Sequence, residues 1–247
     1  MKAYGASDIG LKREQNEDHI YYAYNEAHYF LGLVCDGIGG QNAGDVASKI
    51  AVDIFKHAFQ HADALHDDES VRKWLKKQIQ TANDEIFAIA SGSYEYKGMG
   101  TTISGVLITS KESAYLFNAG DSRVYGLYDQ LVLLSEDHSF VNDLIKRGEI
   151  SEEDALTHPK RNMLTNALGI WDDVKMDLNR INPAYRALMI TSDGVHDYVP
   201  LAIMQDVVAD GHLGTKEKVE RLIALANRAG GYDNSSVVLV EKEVPYE

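Results

Sequence analysis

The sequence predicts an α+β fold, in which two mainly antiparallel β-sheets pack face to face and a pair of helices covers each outer side. Three features indicate this fold. Short apolar strand patterns come in consecutive blocks, long amphipathic helices come in pairs, and the strand-by-helix alternation of a parallel sheet is rare. About ten strands and two helix pairs suffice for two sheets, so we expect a four-layer α-β-β-α sandwich.

The elements follow in order along the chain. The first three strands are predicted at 3–8, 19–24 and 29–35, and the third runs into the glycine-rich letters DGIGG. Apolar residues then recur every three or four positions, which predicts helices at about 44–61 and 70–90. The next strands are predicted at 102–109, 114–118, 124–128 and 131–134.

A charged segment interrupts the second half of the chain. Its pattern is helical at about 139–158, and it ends at His158-Pro159. The remaining elements are strands at about 174–181 and 187–192, helices at about 200–209 and 215–229, and a last strand at 236–241. No repeat, low-complexity tract or polar linker divides the 247 residues, so we expect one domain over 1–247.

Composition restricts the classes of partner. The 38 acidic and 24 basic side chains give a formal net charge of −14, whereas nucleic acids and anionic lipids bind basic surfaces. No run approaches the roughly 18 apolar residues of a membrane span, and the N-terminus lacks a signal-peptide pattern. The single cysteine, Cys35, excludes an internal disulfide. We therefore expect a cytoplasmic protein that binds neither nucleic acid nor a membrane.

Carboxylates stand beside small polar residues or glycines where apolar strands begin or end. The five instances are Asn16-Glu17-Asp18, Asp36-Gly37, Gly120-Asp121, Asp193-Gly194 and Asp233-Asn234. Any one of them is more often a turn, because Asp-Gly and Gly-Asp are turn dipeptides. Five acids that converge repel one another unless cations neutralise them, and Mg²⁺ and Mn²⁺ prefer carboxylate and carbonyl oxygens. The recurrence therefore predicts a divalent cation site.

Arg13 indicates which ligand the predicted cation site would bind. It lies five residues before Asp18. A guanidinium can hold a phosphate with two hydrogen bonds, although a lone arginine is more often a solvated surface residue. Cations together with an arginine indicate a site for a phosphate ester.

Seven motifs occur in one order along nearly the whole chain. They are SDIGLKREQNED (7–18), VCDGIGGQNAGDVAS (34–48), MGTT (99–102), NAGDSRVY (118–125), SEDHSFVNDLIKRGEISEEDALTHPKRNMLTNALG (135–169), TSDGVHD (191–197) and DNSSVVLV (233–240). In these motifs the chain resembles the metal-dependent protein phosphatases, the type 2C serine/threonine phosphatases, and particularly their small bacterial members. The resemblance implies a β-sandwich between helical layers, with a flap segment at about 137–165 beside the site.

The resemblance also implies how the chain holds Mn²⁺ or Mg²⁺, a pair of metals between which the ligand set does not distinguish. Asp36 would bridge two ions, and the Gly37 carbonyl would bind one of them. Asp193 and Asp233 would bind the other. A third ion would lie at Asp121 together with Asp193.

Other positions match supporting residues of the family. Glu17 and Asp18 would act mainly through coordinated waters, and Arg13 would hold the phosphate. Three auxiliary candidates are His138, His196 and Asn234. Either histidine could assist proton transfer, but a hydrogen bond that holds a loop is the commoner role for such a residue.

The activity implied by the resemblance is hydrolysis of phosphoserine and phosphothreonine in proteins, which would reverse a bacterial serine/threonine kinase. Water activated by two cations would attack phosphorus, and the metals with Arg13 would stabilise the phosphoryl charge. Two positions depart from the family pattern. Ile38 stands where eukaryotic relatives often have a histidine that is proposed to protonate the leaving group, so a metal-bound water is the better acid. Asn166 stands where arginine is frequent, which weakens any expectation of a phosphate or flap contact there.

Other phosphate and metal chemistries fit the residues less well. A cysteine phosphatase needs Cys-x5-Arg, but Gln41 is the sixth residue after Cys35. The glycines at 37–44 lack the lysine of a nucleotide-binding loop. His57 and His61 have a zinc-like spacing, but no acid of the cluster is near them in sequence.

Two alternatives to a protein phosphatase remain open. One is a catalytically weak, metal-binding regulatory module of the same fold, and the other is a divalent-metal hydrolase of small phosphate esters.

Overall fold

The computed structural model describes residues 1–39 and 43–243. Gly40, Gln41 and Asn42, which belong to the second motif, lie outside the described residues. Eleven strands occur in the described part, in chain order β1 (Lys2–Asp8), β2 (Asp18–Tyr24), β3 (Phe30–Ile38), β4 (Gly100–Thr101), β5 (Ile103–Ser110), β6 (Ser113–Ala119), β7 (Arg123–Leu127), β8 (Leu131–Leu133), β9 (Asp177–Arg180), β10 (Ala187–Thr191) and β11 (Ser235–Glu241). Its helices are α1 (Ala43–Gln60), α2 (Asp68–Gly92), α3 (Phe140–Lys146), α4 (Glu152–Leu156), α5 (Asp193–His196), α6 (Leu201–Ala209) and α7 (Thr215–Arg228).

The strands form two sheets, and each strand pairing among the described residues is antiparallel. One sheet has the order β1-β11-β10-β7-β8. The other has the order β2-β3-β5-β6-β9, and β4 pairs with the end of β3. The predicted α+β class with two antiparallel sheets is confirmed.

Three apolar cores hold four layers together. The first lies between the β3 sheet and the pair α1 and α2, where Ala47, Ala51, Phe55 and Phe59 repeat every four residues on the buried face of α1. The second lies between the β11 sheet and the pair α6 and α7. The third joins the two sheets through residues such as Val34. This arrangement is the predicted α-β-β-α sandwich.

Three details differ from the sequence prediction. The helical stretch predicted at 139–158 is two short helices, because Gly148 adopts a left-handed φ of 70° after α3 and Ser151 caps α4. The two-residue β4 and the four-residue α5 were not predicted, since such short elements carry no periodicity. The strand predicted at 174–181 is shorter, at Asp177–Arg180.

None of the described helices combines the length and the apolar character that a membrane span requires.

Candidate metal and phosphate site

The adjacent strands β2 and β3 place two acids side by side. Asp18 and Asp36 are directly opposite each other in the β2–β3 register. Asp18 is buried, and its Oδ2 accepts a hydrogen bond of 2.7 Å from the Ser192 hydroxyl. Its Oδ1 is buried and has no hydrogen-bond partner within the described part of the chain.

The backbone of Asp36 is fixed by two threonines at the end of β4. The Asp36 N–H donates to Thr102 Oγ1 at 3.0 Å, and the Asp36 carbonyl accepts from the Thr102 N–H at 2.8 Å and the Thr101 hydroxyl at 2.9 Å. These bonds occupy the main chain of Asp36. The partly buried carboxylate thus projects from rigid scaffold.

Gly37 allows the loop before β2 and the start of α1 to approach β3 closely. Its N–H donates to the Glu17 carbonyl at 3.2 Å. A Cβ at Gly37 would overlap with the Gly44 carbonyl, so only glycine fits. The Glu17 carboxyl faces the beginning of α1, where burial raises its pKa, while the Arg13 charge and hydrogen bonds from the backbone of Gly44 and Asp45 lower it.

Asp193 lies at the first position of α5, directly after β10. Its Oδ1 is a second buried carboxylate oxygen without a hydrogen-bond partner among the described residues. The next residue, Gly194, packs directly against the backbone of Asn234, because an added Cβ would overlap with the Asn234 carbonyl oxygen. This contact brings the start of α5 and the start of β11 together.

Asp233 lies beside Arg13, the residue predicted to hold the phosphate. Arg13 Nη2 donates to Asp233 Oδ2 at 2.7 Å, across 220 residues of sequence. Partial burial lowers the pKa of Arg13, but the hydrogen bond and the charge of Asp233 outweigh it and raise that pKa above its ordinary value. The two residues were predicted to serve one site, and the fold places them in direct contact.

Asn234 holds the loop that carries Arg13. Its amide nitrogen donates to the carbonyls of Ile9 and Gln15 at 2.9 Å each, and its Oδ1 accepts from the Glu17 N–H at 2.9 Å. These bonds place the β1–β2 loop against the start of β11. Asn234, an auxiliary candidate in the sequence, is therefore in a position to organise the site.

Asp121 follows Gly120, whose φ of 124° and contact with Thr102 leave no room for a Cβ. Two residues later, Arg123 forms a forked pair with Asp137 at the start of the predicted flap, with distances of 2.6–3.1 Å. Burial, followed by the charges of Asp137 and Asp197, raises the pKa of Asp121 to about 7.

The acids share one electrostatic environment. Burial raises the pKa of Asp36 well above its usual range, and the charges of four other acids raise it further. Those acids are Asp18, Asp193, Asp121 and Asp233. Burial likewise raises the pKa of Asp193, followed by the charges of Asp121 and Asp233, and it raises the pKa of Asp18 to about 6. Such a cluster is unfavourable as free anions and becomes favourable with cations.

The residues fit hard divalent cations. Two buried carboxylate oxygens lack hydrogen-bond partners in the described part of the chain. The other groups at the site are carboxylates and a glycine carbonyl, the ligands that Mg²⁺ and Mn²⁺ prefer. Within the described ranges, no three His, Cys, Asp or Glu side chains form a group that could hold an ion by themselves. Mg²⁺ in proteins commonly keeps several waters and binds directly through one or two carboxylates, so such a site does not require three converged acidic side chains.

His138 is the second residue of the predicted flap, and its side chain is buried. Its Nδ1 accepts from the Gly120 N–H at 3.2 Å and is 2.8 Å from Asn166 Nδ2, which also donates. Two donors at Nδ1 place the proton on Nε2, which lies 3.0 Å from Asp177 Oδ2. Both ring nitrogens are occupied, as in a histidine that holds a loop.

His196 is almost completely buried. Its Nδ1 lies 2.9 Å from the Thr191 hydroxyl, and burial followed by the Arg123 charge lowers its pKa well below the usual value.

Ser192, which was not among the predicted site residues, is hydrogen-bonded directly to one of the acids. Its hydroxyl donates to Asp18 and accepts from the Ser236 N–H at 2.9 Å, and its place in the TSDG motif was the available signal.

The sequence matches known proteins along most of its length. The family model described as Protein phosphatase 2C matches residues 11–230. The chain is 37% identical over 246 residues to the serine/threonine phosphatase Stp of Listeria welshimeri, covering 99% of this chain and 97% of that protein. It is 32% identical to the protein phosphatase PhpP of Streptococcus pneumoniae strain D39, covering 95% and 94%.

Solved structures show the same fold. The S. agalactiae serine/threonine phosphatase superposes with a TM-score of 0.92 at 34% identity, covering 98% of this chain and 99% of that one. Serine/threonine phosphatase Stp1 from Staphylococcus aureus superposes with a TM-score of 0.91 at 34% identity, covering 98% and 95%.

Proposed function

The chain belongs to the protein phosphatase 2C family of serine/threonine protein phosphatases, and from this premise we propose that it hydrolyses phosphoserine and phosphothreonine in proteins at a binuclear Mn²⁺ or Mg²⁺ centre. One observation carries the proposal. The strand ends bring together acids whose charges raise one another's pKa. Two of these acids have a buried oxygen with no hydrogen-bond partner among the described residues, and Arg13 is hydrogen-bonded to one member of the cluster.

Four groups would hold the two cations. Asp36 would bridge them, the Gly37 carbonyl would bind one, and Asp193 and Asp233 would bind the other. Glu17 and Asp18 would act mainly through waters, and Asp121 with Asp193 would hold a third ion. When bound, the cations would activate water at neutral pH and withdraw charge from the phosphoryl oxygens.

The chain's own residues would position the phosphate. Within the described residues Arg13 gives one N–H to Asp233, and a guanidinium carries five N–H groups, so further donors remain for phosphate oxygens. The side chain is about half exposed, which leaves it accessible. Cys35 supplies no nucleophile, because it is fully buried and burial, followed by the charges of Asp18 and Asp36, raises the pKa of its thiol. Ile38 has no proton to give, so the leaving oxygen would take its proton from water.

We further propose that residues 1–247 form a single catalytic domain with a flap at about 137–165, acting in the cytoplasm on proteins phosphorylated by a bacterial serine/threonine kinase. Loss of the phosphatase should raise phosphorylation on the same proteins that loss of the kinase lowers. Quantitative phosphopeptide mass spectrometry checks this, and two unrelated sets of proteins would contradict it.

The central experiment is hydrolysis of a phosphothreonine peptide with Mn²⁺ and with EDTA, by the parent chain, Asp36→Asn and Asp193→Asn. We expect both substitutions, and EDTA, to lower kcat/KM by about a hundredfold to a thousandfold, the loss typical of a preorganised electrostatic group. Asp129→Asn, an exposed acid in the β7–β8 turn, is the matched control. Full activity in EDTA, or in both variants, would contradict the proposed centre.

The same assay separates the two alternatives. Turnover of small metabolite esters well above that of the peptide would indicate a small-ester hydrolase. Metal binding without turnover of either substrate by the parent would indicate a regulatory module.

A further inference from the structure

An exposed patch of apolar side chains borders the acidic cluster. Tyr232 directly precedes Asp233 and is 53% exposed. Its ring centroid lies 5.5 Å from that of Tyr198, with the planes inclined at 34°. Leu11, two residues before Arg13, is 67% exposed, and its N–H donates to the Gly231 carbonyl at 2.8 Å. We call Leu11, Tyr198 and Tyr232 the tyrosine patch.

Two glycines let the patch residues Tyr232 and Leu11 pack directly against the main chain. Gly230 has a φ of 137°, and a Cβ there would overlap with the ring of Tyr232. Gly231 has a φ of 54°, and a Cβ there would overlap with Leu11. Both glycines therefore allow side chains to pack flat on the main chain. A surface that is already ordered costs little conformational entropy when it binds.

The position of the patch connects it to the phosphate site. Leu11 and Tyr232 are exposed, and Tyr198 is partly exposed next to Tyr232. Single exposed apolar residues are ordinary, whereas neighbouring ones beside a charged site indicate a binding surface. Tyr232 directly precedes Asp233, which accepts the 2.7 Å hydrogen bond from Arg13, and Leu11 lies two residues before Arg13. The patch thus lies beside the Arg13–Asp233 pair.

We propose that the tyrosine patch binds an apolar or aromatic side chain that lies one or two residues from the phosphorylated residue of a peptide substrate. The inference rests on the proposed phosphatase function and adds a substrate preference to it. Tyr232 is the immediate neighbour of Asp233, and an extended peptide rises about 3.3 Å per residue, so only near neighbours of the phosphorylated residue reach the patch. Aromatic anchors beside a polar rim are typical of peptide-binding hot spots.

The test compares phosphothreonine peptides that differ only in carrying Phe or Ser at one of the four positions nearest the phosphothreonine. For the parent chain with Mn²⁺, we expect kcat/KM to be about tenfold higher for Phe at one or more of these positions, the effect of one aromatic anchor. In Tyr232→Ser and in Leu11→Ser this ratio should fall towards one, mainly through KM. Tyr94→Ser, which changes a tyrosine that is 94% exposed at the end of α2, should keep the parent ratio.

Thermal unfolding establishes that the variants are folded, and Leu11→Ser provides a second measurement if Tyr232→Ser is unstable. A parent ratio near one at all four positions, or a parent ratio retained in both variants, would overturn the inference while leaving the phosphatase function intact. No hydrolysis of any phosphopeptide by the parent would overturn the proposed function and this inference with it.

Discussion

At the scale of single residues, glycines determine how closely the strand ends approach one another. Gly37 is packed against the Gly44 carbonyl, and Gly194 against the Asn234 carbonyl. Each of these glycines directly follows a predicted metal ligand in the chain. A side chain at either position would displace the neighbouring carboxylate from the cluster, so the glycines are as necessary to the geometry as the acids.

We expect Gly194→Ala to lower the free energy of unfolding by about 1–3 kcal/mol, because its Cβ overlaps backbone that cannot move freely. Urea unfolding measures this change. Gly211→Ala is the matched control, since a Cβ there meets open space, and it should be neutral or stabilising by about 0.4–1 kcal/mol. Equal effects of the two substitutions would show that the close contact is not maintained.

Asn234 positions a loop that is distant from it in sequence. Its amide makes three hydrogen bonds to the β1–β2 loop, at Ile9, Gln15 and Glu17. The sequence marked it only as an auxiliary candidate beside Asp233. Its partners are more than 200 residues away, so its contribution to positioning Arg13 depends entirely on packing.

At the scale of elements, the segment that we propose as a flap, at about 137–165, is anchored where it leaves and rejoins the sandwich. Ser139 and Leu164 form a β-bridge, and the Thr165 N–H donates to the His138 carbonyl at 2.8 Å. Asn166 adds three hydrogen bonds where this segment joins the sandwich. Its amide donates to His138 and to the Lys175 carbonyl, and its Oδ1 accepts from the Lys175 N–H. The residue that departs from the family pattern therefore has a defined structural role here.

We expect Asn166→Ala to loosen the proposed flap, because it removes one hydrogen bond to the buried His138 ring and two to the Lys175 backbone, each worth about 0.5–1.5 kcal/mol. Limited trypsin cleavage within the flap, at sites such as Arg147 and Lys160, should become about tenfold faster, since each 1.4 kcal/mol of easier opening is a factor of ten. Asn162→Ala, an exposed position in the same segment, is the control. Unchanged cleavage in Asn166→Ala would contradict this account.

Helices and strands were predicted correctly where the apolar pattern continued over many residues. The buried stripe of α1 and the fully buried start of β3 are strong local signals. The helical pattern at 139–158 does not form one helix, because Gly148 ends α3. A glycine that follows a basic last turn, here Lys146, is a common helix end.

At the scale of the whole molecule, the acidic cluster couples charge to stability. The formal charge of −14 would become −10 with two divalent cations, since −14 + 4 = −10. Without cations, Asp36 is surrounded by the charges of four other acids. Folding without metal therefore works against this repulsion, and cation binding should stabilise the folded chain.

We expect Mn²⁺ at a hundredfold excess over its Kd to add about 2.7 kcal/mol at one site, which raises Tm by about 5–10 °C for a chain of this size. In Asp36→Asn the metal-induced rise should be much smaller, while the metal-free Tm should exceed that of the parent, because one repelling charge is gone. Differential scanning calorimetry with Mn²⁺ and with EDTA measures both, and Asp129→Asn should behave as the parent does. An unchanged metal-induced rise in Asp36→Asn would contradict the assignment of this ligand.

The sequence by itself determined the fold class, most of the elements and the residue types of the site. These properties are local, because periodicity and glycine-flanked acids are written within a few adjacent residues. The tertiary structure decided which of these residues meet. Ser192 reaches Asp18 across 174 residues, Arg13 reaches Asp233, and the rings of Tyr198 and Tyr232 pack at a tilt. Contacts at such separations depend on how the two sheets pack, so the buried, unpartnered oxygens and the tyrosine patch could be seen only in the folded chain.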